Sequence, residues 1–167
     1  MSGLVRNLWV ILRALLYFRT AQPLSQTRAH FFVTPFDTGL VTLKSDKYLQ
    51  LVEAAQFDYL IKTALIGEML AKRYSFVNAA QSVWFVKPIR LFDRVRVESQ
   101  LAYLDEKCGY FCHRLIVGQV LHAEVFVKMK FKRGSVTVAP EQLLGAFNRA
   151  KPMFLQRWDE ALATASQ

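Results

Sequence analysis

Lys44-Ser-Asp-Lys-Tyr-Leu-Gln-Leu-Val-Glu-Ala-Ala-Gln-Phe-Asp-Tyr-Leu-Ile-Lys-Thr-Ala-Leu-Ile-Gly-Glu-Met-Leu-Ala-Lys-Arg73 is the stretch on which the fold turns. Apolar residues stand at 48, 49, 51, 52, 54, 55, 57, 59, 60 and 61, and again at 64, 65, 66, 69 and 70. No Gly or Pro interrupts before Gly67. Ser45 or Asp46 supplies a helix start, and Lys72 and Arg73 mark the end. A helix that is apolar around most of its circumference must be covered on most sides. Its narrow polar stripe is Lys47, Gln50, Glu53 and Gln56.

The flanking segments supply the cover. His30–Thr34 reads as a first strand, closed by Pro35 and the turn cluster ending at Gly39. Beyond the helix, Ala79–Val86 is a strand closed by Lys87-Pro88. Arg94–Tyr103 alternates Val95, Val97 and Leu101 against Arg94, Arg96, Glu98 and Gln100. Leu104–Gly109 is a hairpin loop, Tyr110–Val117 a strand, Gly118-Gln119 a tight turn and Val120–Phe131 another strand. In that last strand Val125, Val127, Met129 and Phe131 share one face. Glu124, Phe126, Lys128 and Lys130 share the other, so one face reads as dry and one as wet. Pro140–Phe147 and Phe154–Ala165 look helical. Strands joined by consecutive hairpins form an antiparallel sheet. The expected class is therefore α+β: a sheet of about five strands wrapped around one long central helix. Residues 1–27 read as an apolar amphipathic segment and linker, 28–147 as the domain and 148–167 as a helical tail.

The chain has 167 residues, 53% hydrophobic and 21% charged, which suits one well-filled domain and argues against disorder. Lys and Arg total 22 against 13 Asp and Glu, a formal charge of +9 that favours anionic partners. Nucleic acid is not expected, because the aromatics are not interleaved with the basic residues on one surface. Cys108 and Cys112 match neither a redox nor a zinc spacing, and four strand residues would separate them by roughly 13 Å, too far for a disulfide. Reduced thiols suit a cytoplasmic location. His30, His113 and His122 are scattered, so no metal site is expected. Residues 4–18 are apolar, but Arg6 and Arg13 cut them into runs of at most five, too short to span a bilayer. Two readings stay open for this segment. It lies peripherally on the inner face of the membrane through residues 4–18, or it packs on the domain or a partner subunit.

Several local patterns resemble the hot-dog acyl-CoA thioesterases of the 4-hydroxybenzoyl-CoA thioesterase type, most closely proteins similar to thioesterase superfamily member six. The carriers are Leu4-Val-Arg-Asn-Leu-Trp-Val-Ile-Leu-Arg13, Pro35-x-Asp37, Tyr48-x-x-x-x-Glu53, Phe85-Val-Lys-Pro88 followed by Phe92, and Asp105-Glu-Lys-x-x-Tyr110. The resemblance covers roughly residues 4–147. It implies a hot-dog fold, a homodimer or tetramer, an acyl-CoA substrate whose coenzyme A moiety is the only cofactor, and a site at the start of the buried helix shared across a homodimer. The chain departs from the family in the loop before the helix. Gly39 stands where a second Asp is usual, Thr42 at the His position, and Lys44-Ser45 at the Asn pair.

Thioester hydrolysis needs a carboxylate to activate water or attack the acyl carbon, and donors for the oxyanion, which a helix N-terminus supplies. The catalytic candidates are Asp37, whose plainer role is a turn residue; Glu53, either a buried base with a raised pKa or a solvated stripe residue; and Thr42, which could orient water. Lys87, Arg90 and Lys130 are the candidates for coenzyme A phosphates. The acyl tail would lie near Phe57, Trp84 or Phe85. Two alternatives stand beside the enzyme. One is a non-catalytic hot-dog protein that binds acyl-CoA or another apolar ligand. The other is a membrane-associated interaction protein.

Overall fold

The computed structural model describes residues 12, 21–22 and 24–165. The strands are β1 (Thr27–Phe32), β2 (Ser75–Phe85), β3 (Arg94–Leu104), β4 (Gly109–Val117), β5 (Val120–Arg133) and β6 (Val136–Val138). The helices are α1 (Ser45–Lys62), α2 (Leu65–Ala71), α3 (Glu141–Leu144) and α4 (Met153–Ala165). All strand pairs are antiparallel, in the order β1-β3-β4-β5-β2, with β6 added to the end of β5. This is the expected α+β sheet around a central helix.

The alternation of β3 and β5 does what the sequence predicts on the inner face. Val95, Val97, Leu115, Val125 and Val127 close against Leu51, Val52, Ala54 and Ala55 of α1. A second cluster joins Tyr59, Leu60, Leu65 and Met69 to Leu101, Phe111, Met129, Phe131, Leu143 and Leu144. Removing such side chains from water is worth about 1.5–3 kcal/mol each, so the two clusters dominate the stability of the fold.

Three expectations need correction. The helix is not continuous to Arg73. It stops at Lys62, and Ala64 takes a left-handed φ of 59° before α2 begins. The Thr63 hydroxyl donates back to the Tyr59 carbonyl at 2.7 Å, and the turn swings Leu65 and Met69 into the second cluster. Secondly, the first strand begins at Thr27, inside the expected linker, and ends at Phe32. Thirdly, the outer face of the sheet is not simply wet. Leu155 of α4 packs on Cys108 and Tyr110, with Phe126 and Trp158 alongside. Both cysteines are buried and free.

Residues 4–18, read as the membrane or packing segment, lie outside the described residues apart from Leu12. Among the described residues no helix is long and apolar enough to cross a membrane.

Candidate active site

The loop between β1 and α1 is built by local hydrogen bonds. Asp37 closes a turn: its backbone N–H donates to the Thr34 carbonyl, and its Oδ2 accepts from the Thr34 backbone N–H at 3.1 Å and the Thr34 hydroxyl at 2.6 Å. Its own carbonyl accepts from the Lys44 N–H at 3.1 Å. Asp37 thus sits directly against the residue from which α1 starts, and it is buried at 5% exposure. Thr42 forms an isolated bridge to Arg90, and the Leu43 N–H donates to the Ile89 carbonyl. The loop 86–93 is thereby laid beside the loop 33–44.

The helix start itself has no side-chain cap. Lys44 is the N-cap and no hydrogen bond from its side chain closes the first turn; Ser45, expected as a cap, is instead the first helical residue. The leading N–H groups of an α-helix lack intrahelical partners and carry the positive end of the dipole. Tyr48 ties this turn down. Its hydroxyl accepts from the Ile89 N–H at 3.2 Å, and its ring meets Phe85 edge-on at 4.9 Å. Burial raises the Tyr48 pKa, outweighing the Ile89 N–H bond, so the group is a neutral phenol.

The remaining candidates are spread out. Glu53 is exposed, eight residues along α1 from Ser45 or about 12 Å, so the structure does not bring it to Asp37 within one chain. In the single chain the Glu53 side chain stands in solvent. Lys87 is exposed and its N–H donates to the His122 carbonyl at 3.0 Å, beside the same loop as Arg90. Lys130 lies elsewhere. It pairs with Val77, seven residues along β5 from the Ala123–Phe85 pair, about 23 Å away, on the face opposite α1. There it lines a cavity of about 730 Å³ with Tyr103, Asp105, Lys128 and Phe147.

Residues 36–147 match the thioesterase-like superfamily. The chain belongs to that superfamily. No curated protein matches it. Solved thioesterases share its fold. YbaW, a probable thioesterase from Escherichia coli, is 20% identical over 70% of this chain and 92% of its own, with a TM-score of 0.66. A probable thioesterase from Bartonella henselae is 13% identical over 69% of this chain and 98% of its own, at 0.63. An acyl-CoA hydrolase from Staphylococcus aureus, solved with butyryl coenzyme A, coenzyme A and coenzyme A disulfide, is 16% identical over 84% and 88%, at 0.61.

Two polar groups of this thioesterase-like chain escaped the sequence reading. Gln56, assigned above to the solvated stripe, is buried at 2% exposure and accepts from the Asn78 side chain at 3.2 Å. Gln56 Nε2 and Asn78 Oδ1 are left without partners among the described residues. Both lie where α1 meets the edge strand β2. The second is a cluster that α4 brings to the outer face. The Tyr110 hydroxyl lies 2.7 Å from Asp105 Oδ2 and 2.5 Å from Asp159 Oδ2. Lys128 Nζ donates to Asp159 Oδ1 at 2.8 Å, and Lys151 Nζ donates to Asp159 Oδ2. Burial alone would raise the Asp159 pKa, but the hydrogen bonds from Lys128, Lys151 and Tyr110 overcome it and hold the carboxyl low. No pattern in the sequence joins Asp159 to Lys128, and α4 lies beyond the span that matches the superfamily.

Proposed function

We propose that this protein is an acyl-CoA thioesterase, cleaving the thioester to a free acid and coenzyme A at the N-terminus of α1. The observation that carries the reading is the uncapped first turn of a buried helix, with Asp37 folded against it, in a chain of the thioesterase-like superfamily. The leading amides polarise the thioester carbonyl and stabilise the oxyanion of the tetrahedral intermediate. Asp37, held by Thr34, acts as the base that activates water or as the nucleophile. Thr42 orients the water from the exposed side of the same loop. Lys87 and Arg90, on the loop laid beside it, meet the phosphates of coenzyme A.

The working unit in this reading is a homodimer. β2 is an edge strand of 11 residues, longer than most, and among the described residues no strand pairs with its outer edge. Such an edge invites pairing with another strand. Pairing two β2 strands would bring two α1 helices together and give Glu53 and the Gln56–Asn78 pair a second wall. Glu53 then enters the site from the partner. The acyl tail follows the strip between α1 and β2, past Phe57 and Phe85.

Free-thiol release from a panel of acyl-CoA chain lengths tests the proposal. Wild type should turn over at least one chain length, and Asp37→Asn should lower kcat by roughly 10²–10⁴-fold, the usual range for a positioned acid or base. Glu53→Gln should lower it as well. Unchanged rates in both variants would remove this site. No turnover on any chain length, with tight acyl-CoA binding, would leave a binding protein instead.

A further inference from the structure

A hydrogen bond joins the first turn of α1 to the loop that carries Lys87 and Arg90. Thr42 and Arg90 lie opposite each other in a short antiparallel ribbon. The Leu43 N–H donates to the Ile89 carbonyl at 2.8 Å, and the Leu91 N–H donates to the Val41 carbonyl at 2.9 Å. Leu43 and Ile89 therefore stand as a hydrogen-bonded pair, which in a regular ladder exchanges both of its N–H bonds. Here only one is made between main chains, because the chain turns into α1 after Lys44. The Ile89 N–H donates instead to the Tyr48 hydroxyl at 3.2 Å. Ile89 is fully buried and Tyr48 is 4% exposed, so water does not stand in for this bond.

The rest of the loop is fixed from other directions. The Val86 and Lys87 N–H groups both donate to the His122 carbonyl, and the Pro88 carbonyl lies 3.0 Å from His122 Nδ1. The Arg90 N–H donates to Asp93 Oδ2, and the Phe92 N–H donates to the Val33 carbonyl. These bonds shape the loop and tie it to β5 and to the end of β1, but none of them reaches α1. Tyr48 does, and its ring also meets Phe85, where the segment leaves β2. Ile89 sits between exposed Lys87 and exposed Arg90, so the place where it is held sets the place of both cations.

We propose that Tyr48 is a positioning residue for thioester cleavage. Its hydroxyl registers the loop that holds the coenzyme A phosphates against the amides that receive the thioester oxygen. This rests on the site proposed above. Phosphates and thioester are two ends of one ligand. Binding at the loop places the reacting carbonyl only if the loop and the helix start keep a fixed separation. Tyr48 acts through Ile89 and not on the reacting atoms.

The test compares wild type and Tyr48→Phe on two substrates with the same acyl group. One is the acyl-CoA, and the other is the thioester of N-acetylcysteamine, which has no phosphates. Tyr48→Phe should lower kcat/KM about tenfold more on the acyl-CoA than on the short thioester, the scale of one neutral hydrogen bond. In a Lys87→Ala/Arg90→Ala background the same change should no longer distinguish the two substrates. A role in stability alone would lower both rates alike. That outcome overturns the proposal, as do unchanged rates or continued discrimination in the double-alanine background. Should Tyr48→Phe fail to fold, amide hydrogen exchange of wild type decides. Saturating coenzyme A should slow exchange at Leu43 and Ile89, and unchanged exchange overturns the proposal. If wild type binds coenzyme A but cleaves no thioester, the enzymatic reading falls and calorimetry judges the clamp by itself. Tyr48→Phe should then weaken coenzyme A binding about tenfold, and an unchanged Kd overturns it. Wild type that neither binds nor cleaves overturns both.

Discussion

His113 should make this protein unusually sensitive to mild acid. The imidazole is fully buried between sheet and helix, facing the same side as Phe111 and Leu115. Nδ1 lies 2.8 Å from the Ser99 hydroxyl, and Nε2 has no partner among the described residues. A charged ring would need two acceptors in an apolar interior, so burial pushes the pKa from 6.5 down to about 3. Between those values the unfolded chain binds a proton that the native chain refuses. Stability is therefore fully present above pH 6.5 and is lost as pH falls through that window. At about 1.4 kcal/mol per pH unit across that window, the loss is on the order of several kcal/mol. That is comparable with the whole stability of many domains.

The assay is urea unfolding across a pH series from 7 down to about 4, comparing wild type with Ser99→Ala/His113→Leu. The double variant removes both polar partners and keeps the volume. It should be close to neutral or stabilising at pH 7, because it also abolishes the unpaired Nε2. Carboxylates titrate in both proteins, so the difference between the profiles isolates the imidazole. Wild type should lose about 1.4 kcal/mol more per unit below pH 6.5. Parallel profiles would refute the reasoning, and so would a His113 resonance titrating near 6.5 in the native protein.

Tyr48→Phe should cost about 1–3 kcal/mol in chemical denaturation, since it strips the buried Ile89 N–H of its acceptor; a cost near zero would mean that water replaces the hydroxyl. Ala64→Gly should stabilise by up to ~1 kcal/mol, because a left-handed alanine costs about 1–2 kcal/mol and the entropy of glycine offsets about half of that. A destabilised Ala64→Gly protein would show that the break between α1 and α2 stores no such strain.

Much of the fold was legible because two periodicities are strong. The run from Tyr48 to Ile61 allows only a covered helix, and the alternation in β3 and β5 allows only a sheet with one dry face. The helix break was not legible. Thr63-Ala64 carries neither Gly nor Pro, and the turn exists because α2 must reach Leu143 and Leu144, about 80 residues later in sequence. Tertiary packing overrode local propensity there.

The candidate site was legible by residue type but not by placement. Glu53 and Gln56 differ by three positions, which on a helix is an offset of about 60° around the axis. Periodicity cannot decide which of the two solvent keeps. The edge of β2 decides it, covering Gln56 with Asn78 and leaving Glu53 outside. The same reasoning applies to Lys128 and Lys130, adjacent on the outer face of β5. Sequence parity makes them equivalent and both line the same cavity, yet among the described residues only Lys128 is held in an ion pair, by Asp159 of α4. A pattern of period two or 3.6 assigns a residue to a face. What covers that face arrives from distant chain, and the chemistry of each polar group is fixed only then. Asp37 is the exception because its partners, Thr34 and Lys44, are close neighbours in sequence. It is therefore the site residue for which the sequence and the structure speak to the same atoms, and the one whose substitution most directly tests the catalysis proposed for this helix start.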